Sequence, residues 1–406
     1  MKKMMSSMLV LMLFVGGIGF RLPSTVYADH LYCDNDAVGY PCSNSFTESW
    51  TYRSGYSGDQ NGDHRLARND SSSSYLWRYD DYVVDPYLDV WLNNYDFTNP
   101  NADYYVSDGH TNVQYVGDIN QNTAPGGWNG IGKVYGWFID ADVFQRGDYP
   151  NSYTGADMIR LYDPSTLAMN TVKEQTYHAN AEIASIQKKM LNAIDHYQNI
   201  QGSFHIQFEN NGQNETIDFQ VDEGKTPGSH VKVTKANGTV FETKSNGKEH
   251  LVMNHQKEQF SKSNIAPRKE VKGPRHFSNE NGQPVFVQRN DPATASIAKE
   301  VTFPQNYAFW LRNKGNKVVG HDKMFNRDIT VIEGKHNDYL SKKLGATTYK
   351  MWVDTKTGVL LKLIGTDQNG DEAYHIKVQD IQFNQGINAQ QFAPEVPKSW
   401  EKMKKK

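Results

Sequence analysis

Cysteine is nearly missing from this chain: Cys33 and Cys42 are the two that occur among 406 residues. Two thiols cannot supply a four-cysteine zinc site, and their spacing is not the CxxC of a redox pair. Long apolar runs are missing too, apart from one at the start, so no later segment reaches the roughly 20 apolar residues that a membrane-spanning helix needs. Charge of one sign is not in surplus. The formal net charge is -3, which gives no electrostatic footprint for nucleic acid. The short catalytic signatures are lacking as well: there is no HExxH, no GxSxG, no phosphate-binding P-loop and no GxGxxG between a strand and a helix. The 13 histidines, among them His64, His110, His205, His230, His250, His255 and His321, are scattered without an i, i+4 pair on a helical stretch. No metal, cofactor or catalytic residue is expected from them.

What is present begins with a leader. Lys2 and Lys3 precede an apolar run from Met8 to Phe20, and Val26-Tyr27-Ala28 fits the small-residue rule, so residues 1–28 read as a signal peptide cleaved after Ala28. The mature chain is expected outside the cytoplasm, secreted or in the cell envelope, with no transmembrane segment. Export places Cys33 and Cys42 in an oxidising compartment, where one local disulfide would contribute ~2 to 3 kcal/mol by restricting the unfolded chain.

Charge divides the remainder. Residues 29–165 carry about 20 acidic against about 7 basic residues, and the rest of the chain about 33 basic against about 26 acidic, which argues for two units of opposite character. A connector is read at 166–180. The first unit, 29–165, has no helical period. Segments at Tyr75 to Tyr79, Tyr87 to Leu92, Ala102 to Val106, Thr111 to Val116 and Gly132 to Ile139 alternate with turn-forming clusters such as Pro125-Gly126-Gly127, the rhythm of an all-β sandwich.

The order YLDVWLNNYD, ADYYVSDG, HTNVQYV and NQNTAPGGWNGIGKVYG, resting on Trp77, Val90, Trp91, Tyr104, Tyr105, Val106, Gln121, Trp128, Gly130 and Gly132, resembles the golvesin/Xly carbohydrate-binding-like module. That resemblance implies attachment to cell-wall or extracellular polysaccharide, with Trp91 and Trp128 as candidate sugar platforms. Their place in the middle of apolar strand patterns favours core packing instead. Asp59-Gln60-Asn61-Gly62-Asp63 has the oxygen spacing of a calcium loop, but His64 stands where such a loop needs glycine. It is read as a solvated turn.

The second unit, 181–400, opens on Ile183, Ile186, Met190, Ile194 and Tyr197 at helical spacing, with Asn180 as N-cap and Glu182 in the first turn. Period-2 strands follow, with Phe204, Ile206 and Phe208, then Ile217, Phe219 and Val221, then Val231 and Val233 on one face. Asn237-Gly238, Asn246-Gly247 and Asn369-Gly370 signal type I′ hairpins between strands. Residues Tyr349 to Leu363, YKMWVDTKTGVLLKL, read as two strands about a tight turn, with bulky apolar groups on both faces. Such a hairpin asks for two covers, a helix on one side and protein or ligand on the other.

These motifs, with FPQNYAFWL at Phe303 to Leu311 and VVGHDKMFNRDITVIEG before the hairpin, resemble the superfamily of periplasmic lipoprotein carriers and sigma-E regulatory proteins. The resemblance implies an α+β fold, a half-open antiparallel β-barrel packed on helices. It also implies an apolar lipid or acyl ligand, or an envelope protein partner, held on the concave face. Phe204, Phe208, Phe219, Met351, Val353 and Leu361 are the candidate lining, although the helix at 181–197 must consume much of that face. Arg327 stands later than the family's arginine, which puts any inherited role for it in question.

Residues 262 to 300 break the strand pattern with a Pro, Gly and basic-rich insertion. A solvated loop is expected there, with Arg268, Lys269, Lys272 and Arg275 available to a phosphate, an anionic polymer or the acidic first unit. The expectation is therefore a secreted, non-enzymatic binding protein, its sandwich attached to a surface or polysaccharide and its half-barrel holding an apolar ligand or an envelope protein. Two rivals stand beside it: a cell-wall or polysaccharide hydrolase using acids of the first unit, and a structural envelope or matrix protein.

Overall fold

The computed structural model describes residues 31–37, 41–47, 49–68, 73–109, 112–144, 149, 151–162, 180–268, 270, 274–279, 281–312 and 314–403. The leader at 1–28, the connector at 166–179, Lys269 and Lys272 lie outside these residues.

Eleven strands of the second half form one open antiparallel sheet. In spatial order they are Lys317–Met324, Arg327–Lys335, Thr348–Asp354, Leu360–Thr366, Glu372–Phe383, Asn199–Phe208, Gln213–Asp222, Gly228–Lys235, Val240–Ser245, Glu249–Asn254 and Gln259–Ile265. Period-2 patterning puts Phe204, Ile206, Phe208, Ile217, Phe219 and Val221 on one buried face. The helix Ala181–Met190 lies on that face through Ile183, Ile186 and Met190, and Gln305–Trp310 adds Tyr307, Phe309 and Trp310. Asn180 caps the first of these helices by accepting from the Glu182 and Ile183 amides at 2.8 and 3.4 Å. The helix is shorter than its apolar period. It stops at Met190, and Ile194 and Tyr197 reach the same core from a 3-10 turn and the segment after it.

The Tyr349 to Leu363 hairpin forms, but only one of its faces is apolar cover. Tyr349, Met351, Val353, Leu361 and Leu363 are buried, while the other face sets half-buried Trp352 between Lys362 and Lys350, whose ammonium groups lie 4.5 and 5.5 Å from its ring. The second face is thus finished by lysines and needs no ligand. Asp354 organises the turn by accepting from the Thr357 amide and hydroxyl, both at 2.7 Å. Arg327 holds the same carboxylate from the neighbouring strand and stacks over Phe383 at 3.8 Å, which gives that arginine its place. Gly358, at φ +81°, touches the end of the first helix so closely that a Cβ would stand 2.4 Å from the Lys189 carbonyl carbon. The Asn-Gly hairpins are present, but with positive φ at Gly238, Gly247 and Gly370 alone. A type I′ turn needs positive φ at both central residues, so these are not type I′.

In the first half, two sheets share one apolar cluster. One runs Leu31–Cys33, Ile159–Tyr162, Tyr87–Leu92, Gly127–Lys133. The other runs Cys42–Phe46, Ser74–Val84, Trp137–Phe144, Ala102–Ser107, Val113–Ile119. The expected single strand at Gly132 to Ile139 is two strands in different sheets, because the chain crosses over at Tyr135 and Gly136, the latter at φ +134°. A small sheet of Trp50–Ser54, Asp63–Arg68 and Tyr153–Ala156 completes this half. Cys33 and Cys42 form the disulfide.

The 262–300 segment is not a solvated loop. Ile265 and Asn264 pair in parallel with Tyr115 and Gln114, and Val285 and Phe286 pair in parallel with Trp128 and Asn129. Both sheets of the first half are thereby extended by strands from the second, and His276–Ser278 adds one further strand. Arg275, read as an anion contact, instead donates to the carbonyls of Val287 and Leu191, the latter at 3.1 Å beyond the end of the first helix. Polar contacts continue the seam. Asn306 donates to the Asn120 carbonyl at 3.3 Å and Thr123 Oγ1 at 3.0 Å, Trp310 Nε1 to the Thr123 carbonyl at 3.0 Å, and Lys343 Nζ to the Gln121 carbonyl at 2.7 Å.

His276, buried against Phe286, is held down at about 2 by burial and then by the Arg312 charge. The unfolded chain protonates this ring near pH 6.5 and the folded chain only near 2, so its contribution to stability is lost as pH falls below 6.5. The loss is up to about 1.4 kcal/mol per pH unit. Urea unfolding midpoints measured from pH 7 to pH 4 are expected to fall, and His276→Phe to flatten that dependence.

Candidate functional site

The six residues expected to line an apolar site belong to a filled core. Phe204, Phe208, Met351, Val353 and Leu361 are each 0% exposed and Phe219 is 3% exposed. They touch the chain's own helices in one continuous cluster, so the concave face is covered by protein. Trp91 and Trp128 are buried as well. Trp91 Nε1 donates to the Gly58 carbonyl at 2.9 Å, and Trp128 Nε1 to Gln283 Oε1 at 3.0 Å. Arg160 lies 4.5 Å over the Trp128 ring. A sugar platform needs a free ring face, which neither offers. The exposed rings of this half are elsewhere, with Trp137 64% and Tyr135 45% exposed.

Three acids of the first half are engaged by cations. Asp89 is paired with Arg160 at 2.6 Å, Asp118 with Lys299 at 2.8 Å and Asp140 with Arg78 at 3.3 Å. Glu300 is a buried carboxyl on the seam, pushed up to about 7 by burial against the hydrogen bonds of Tyr307 and Asn120 that pull it down. The space beside it is about 10 Å³, which holds at most a water. Its companion Lys343 is pushed down to about 7 by burial.

The open concavity lies where the inserted segment leaves the large sheet. It is a cleft of about 880 Å³ whose floor is Ile265, Ala266, Pro267 and Pro292, with Pro227 opposite and Lys225, Lys248, Arg268 and Arg289 around it. Arg289 is tied to Asp195 at 2.6 Å, and Arg268 donates to the Asp291 carbonyl and to Thr294 Oγ1. Lys225 and Lys248 are exposed and carry no ion pair among the described residues. The cleft therefore offers an apolar floor, asparagine amides from Asn246, Asn264 and Asn290, and a positive rim with one acid, Glu270. Such a surface can hold an anion that has an apolar portion. Of its residues only Arg268 is read from sequence as an anion contact, while Asn246-Gly247 is read as a hairpin turn. The rest come from separate turns that no local pattern brings together.

No protein-family model and no curated protein sequence matches the chain. Among solved structures it is similar to an uncharacterized conserved protein from Thermus thermophilus, at 10% identity and TM-score 0.31 over 54% of this chain and 97% of that one. It is similar also to MucB in the MucA/MucB complex of Pseudomonas aeruginosa, at 14% identity and TM-score 0.29 over 52% of this chain and 60% of that one. The lipoprotein LppX of Mycobacterium tuberculosis is similar at 12% identity and TM-score 0.30, over 52% of this chain and all of that one (100%). Likeness at this level assigns no role to any residue.

Proposed function

We propose that the protein is an exported, non-enzymatic binding protein whose ligand is an amphiphile with an anionic head, held in the cleft where the inserted segment leaves the large sheet and not inside that sheet. The observation that carries this is the cleft itself, about 880 Å³ with an apolar floor and two unpaired lysines at its rim, the combination of bulk apolar wall and few polar anchors that ligand sites use. The lipid-carrier-like expectation is kept in its chemistry and moved in its place, because the concave face is already occupied by Ile183, Ile186, Met190 and Trp310. The first half, golvesin-like in its motifs, is proposed to attach the protein to a polymer surface through the exposed Trp137 and Tyr135.

Titration calorimetry with lysophosphatidylglycerol and with the zwitterionic lysophosphatidylcholine tests the site. The anionic lipid is expected to bind at least tenfold more tightly, and Lys225→Glu with Lys248→Glu to remove that preference. Equal binding of both lipids, or a preference that survives the double substitution, would overturn the reading.

A further inference from the structure

We propose that the first half carries a calcium site built by Asp34, Asp36 and Asp63, at the foot of the disulfide loop and against the Asp59 to Asp63 turn. One carboxylate oxygen from each of these three residues lies within 4.8 Å of the other two. That is about twice a calcium–oxygen distance of 2.3–2.6 Å, the separation at which several oxygens share one ion. Asp36 is exposed, Asp34 half-buried and Asp63 buried, so the group forms a shallow cup with its mouth at the surface.

Two buried oxygens, on residues bonded to Asp63 and to the Asp59 to Asp63 turn, have no hydrogen-bond partner among the described residues. Asn35 is 0% exposed and donates its Nδ2 to Asp63 Oδ1 at 2.8 Å, which sets its amide head on the cluster, yet its Oδ1 is unsatisfied. Asp157 is 2% exposed and accepts from the Gln60 amide at 3.1 Å on one oxygen, while its Oδ1 is likewise unsatisfied. A buried, unpaired acceptor costs about 1–3 kcal/mol, and a cation satisfies acceptors without needing a donor. Burial first, then the charge of Asp59 and, after it, those of Asp34 and Asp63, hold the Asp157 carboxyl well above its ordinary value. Asp59 itself is turned away, bonded to His64 Nδ1 and Asn94 Nδ2 at 2.8 Å each.

The donor set is all oxygen, and it comes from three separate segments, a flexible cage of the kind calcium takes and the smaller magnesium ion does not. Arg65, on the strand that carries Asp63, is held over the rings of Phe46 and Tyr52 at 4.5 and 5.1 Å. Of the Asp59 to Asp63 spacing that the local sequence offers, only Asp63 belongs to the group. Folding replaces its missing ligands with Asp34 and Asp36.

The test is calorimetric titration of the chelator-stripped full-length protein with calcium chloride and magnesium chloride, alongside thermal unfolding with and without each ion. One calcium per chain is expected, at least tenfold tighter than magnesium, with a rise in melting temperature. D36N alters an exposed side chain and spares the fold; it should weaken calcium binding at least tenfold and, without calcium, raise the melting temperature by relieving repulsion among the acids. D328N, on a distant strand, should change neither. Absence of calcium binding, equal affinity for magnesium, or a D36N protein that is less stable without calcium and binds it unchanged would each overturn the site.

Discussion

Expressed apart, residues 29–165 and 180–406 are expected to give no independently folded piece, although their opposite charge reads as two separable units. The first piece would lose the strand partners of both its sheets, Asn264 and Ile265 on one and Val285 and Phe286 on the other. Trp128, now 0% exposed, would lose Gln283 and the cover of Phe277, Val285 and Val287. The second piece would expose the Trp310 and Lys343 contacts to the Asn120 to Thr123 segment and leave buried polar groups unpaired, at about 1–3 kcal/mol for each. Losses of this size are a large fraction of the roughly 5–15 kcal/mol that holds an ordinary domain folded. Near-ultraviolet circular dichroism and gel filtration should show each piece without fixed tertiary signal. Mixing the two from denaturant should restore it. A native-like spectrum from either piece alone would refute the expectation.

Arg160→Met is expected to destabilise the whole protein by ~3–5 kcal/mol, the range for removing one partner of a buried ion pair. Arg160 and Asp89 are 1% and 0% exposed, and Nε and Nη2 of the arginine both donate to Asp89 Oδ2, at 2.9 and 2.6 Å. The substitution leaves Asp89 buried without its cation and withdraws the guanidinium from the Trp128 face. Adding Asp89→Asn should recover part of the loss, because the stranded charge goes with it. Urea unfolding of the single and double variants reads both effects. A single variant within about 1 kcal/mol of the parent would show that the pair is solvated or replaceable.

Where a signal is carried by neighbours in the chain, sequence reading and structure mostly agree, although the Asn-Gly turns are not type I′ and Gly132 to Ile139 is two strands. Asn180 caps its helix, the period-2 strands from Phe204 to Val221 bury the expected face, Asp354 to Gly358 turns, and Cys33 bonds Cys42. Failures fall where partners are distant. Nothing local to Pro284-Val285-Phe286 says that it pairs with Trp128, so a Pro- and Gly-rich stretch reads as loop when it is the seam between halves. Trp91 and Trp128 are sugar platforms only by family resemblance; their apolar strand setting favours core packing, and both are buried. The rims of the cleft and the acids of the proposed calcium cup converge from separate segments, and local spacing shows only the Asp59 to Asp63 fragment of the second.

The double strand addition also has a consequence for how the chain comes into being. Synthesis proceeds from the amino end, so the edges at Val113–Ile119 and Gly127–Lys133 are made long before Gln259–Ile265 and Pro284–Phe286 exist to cover them. Unpaired edges are templates for association with other chains, and contacts of such sequence separation form slowly. The first half must therefore wait, unfinished, for the second. A helper that shields strand edges during synthesis, or a pause that keeps the first half from settling, would be expected to raise the yield of folded protein more than any helper acting on the completed chain.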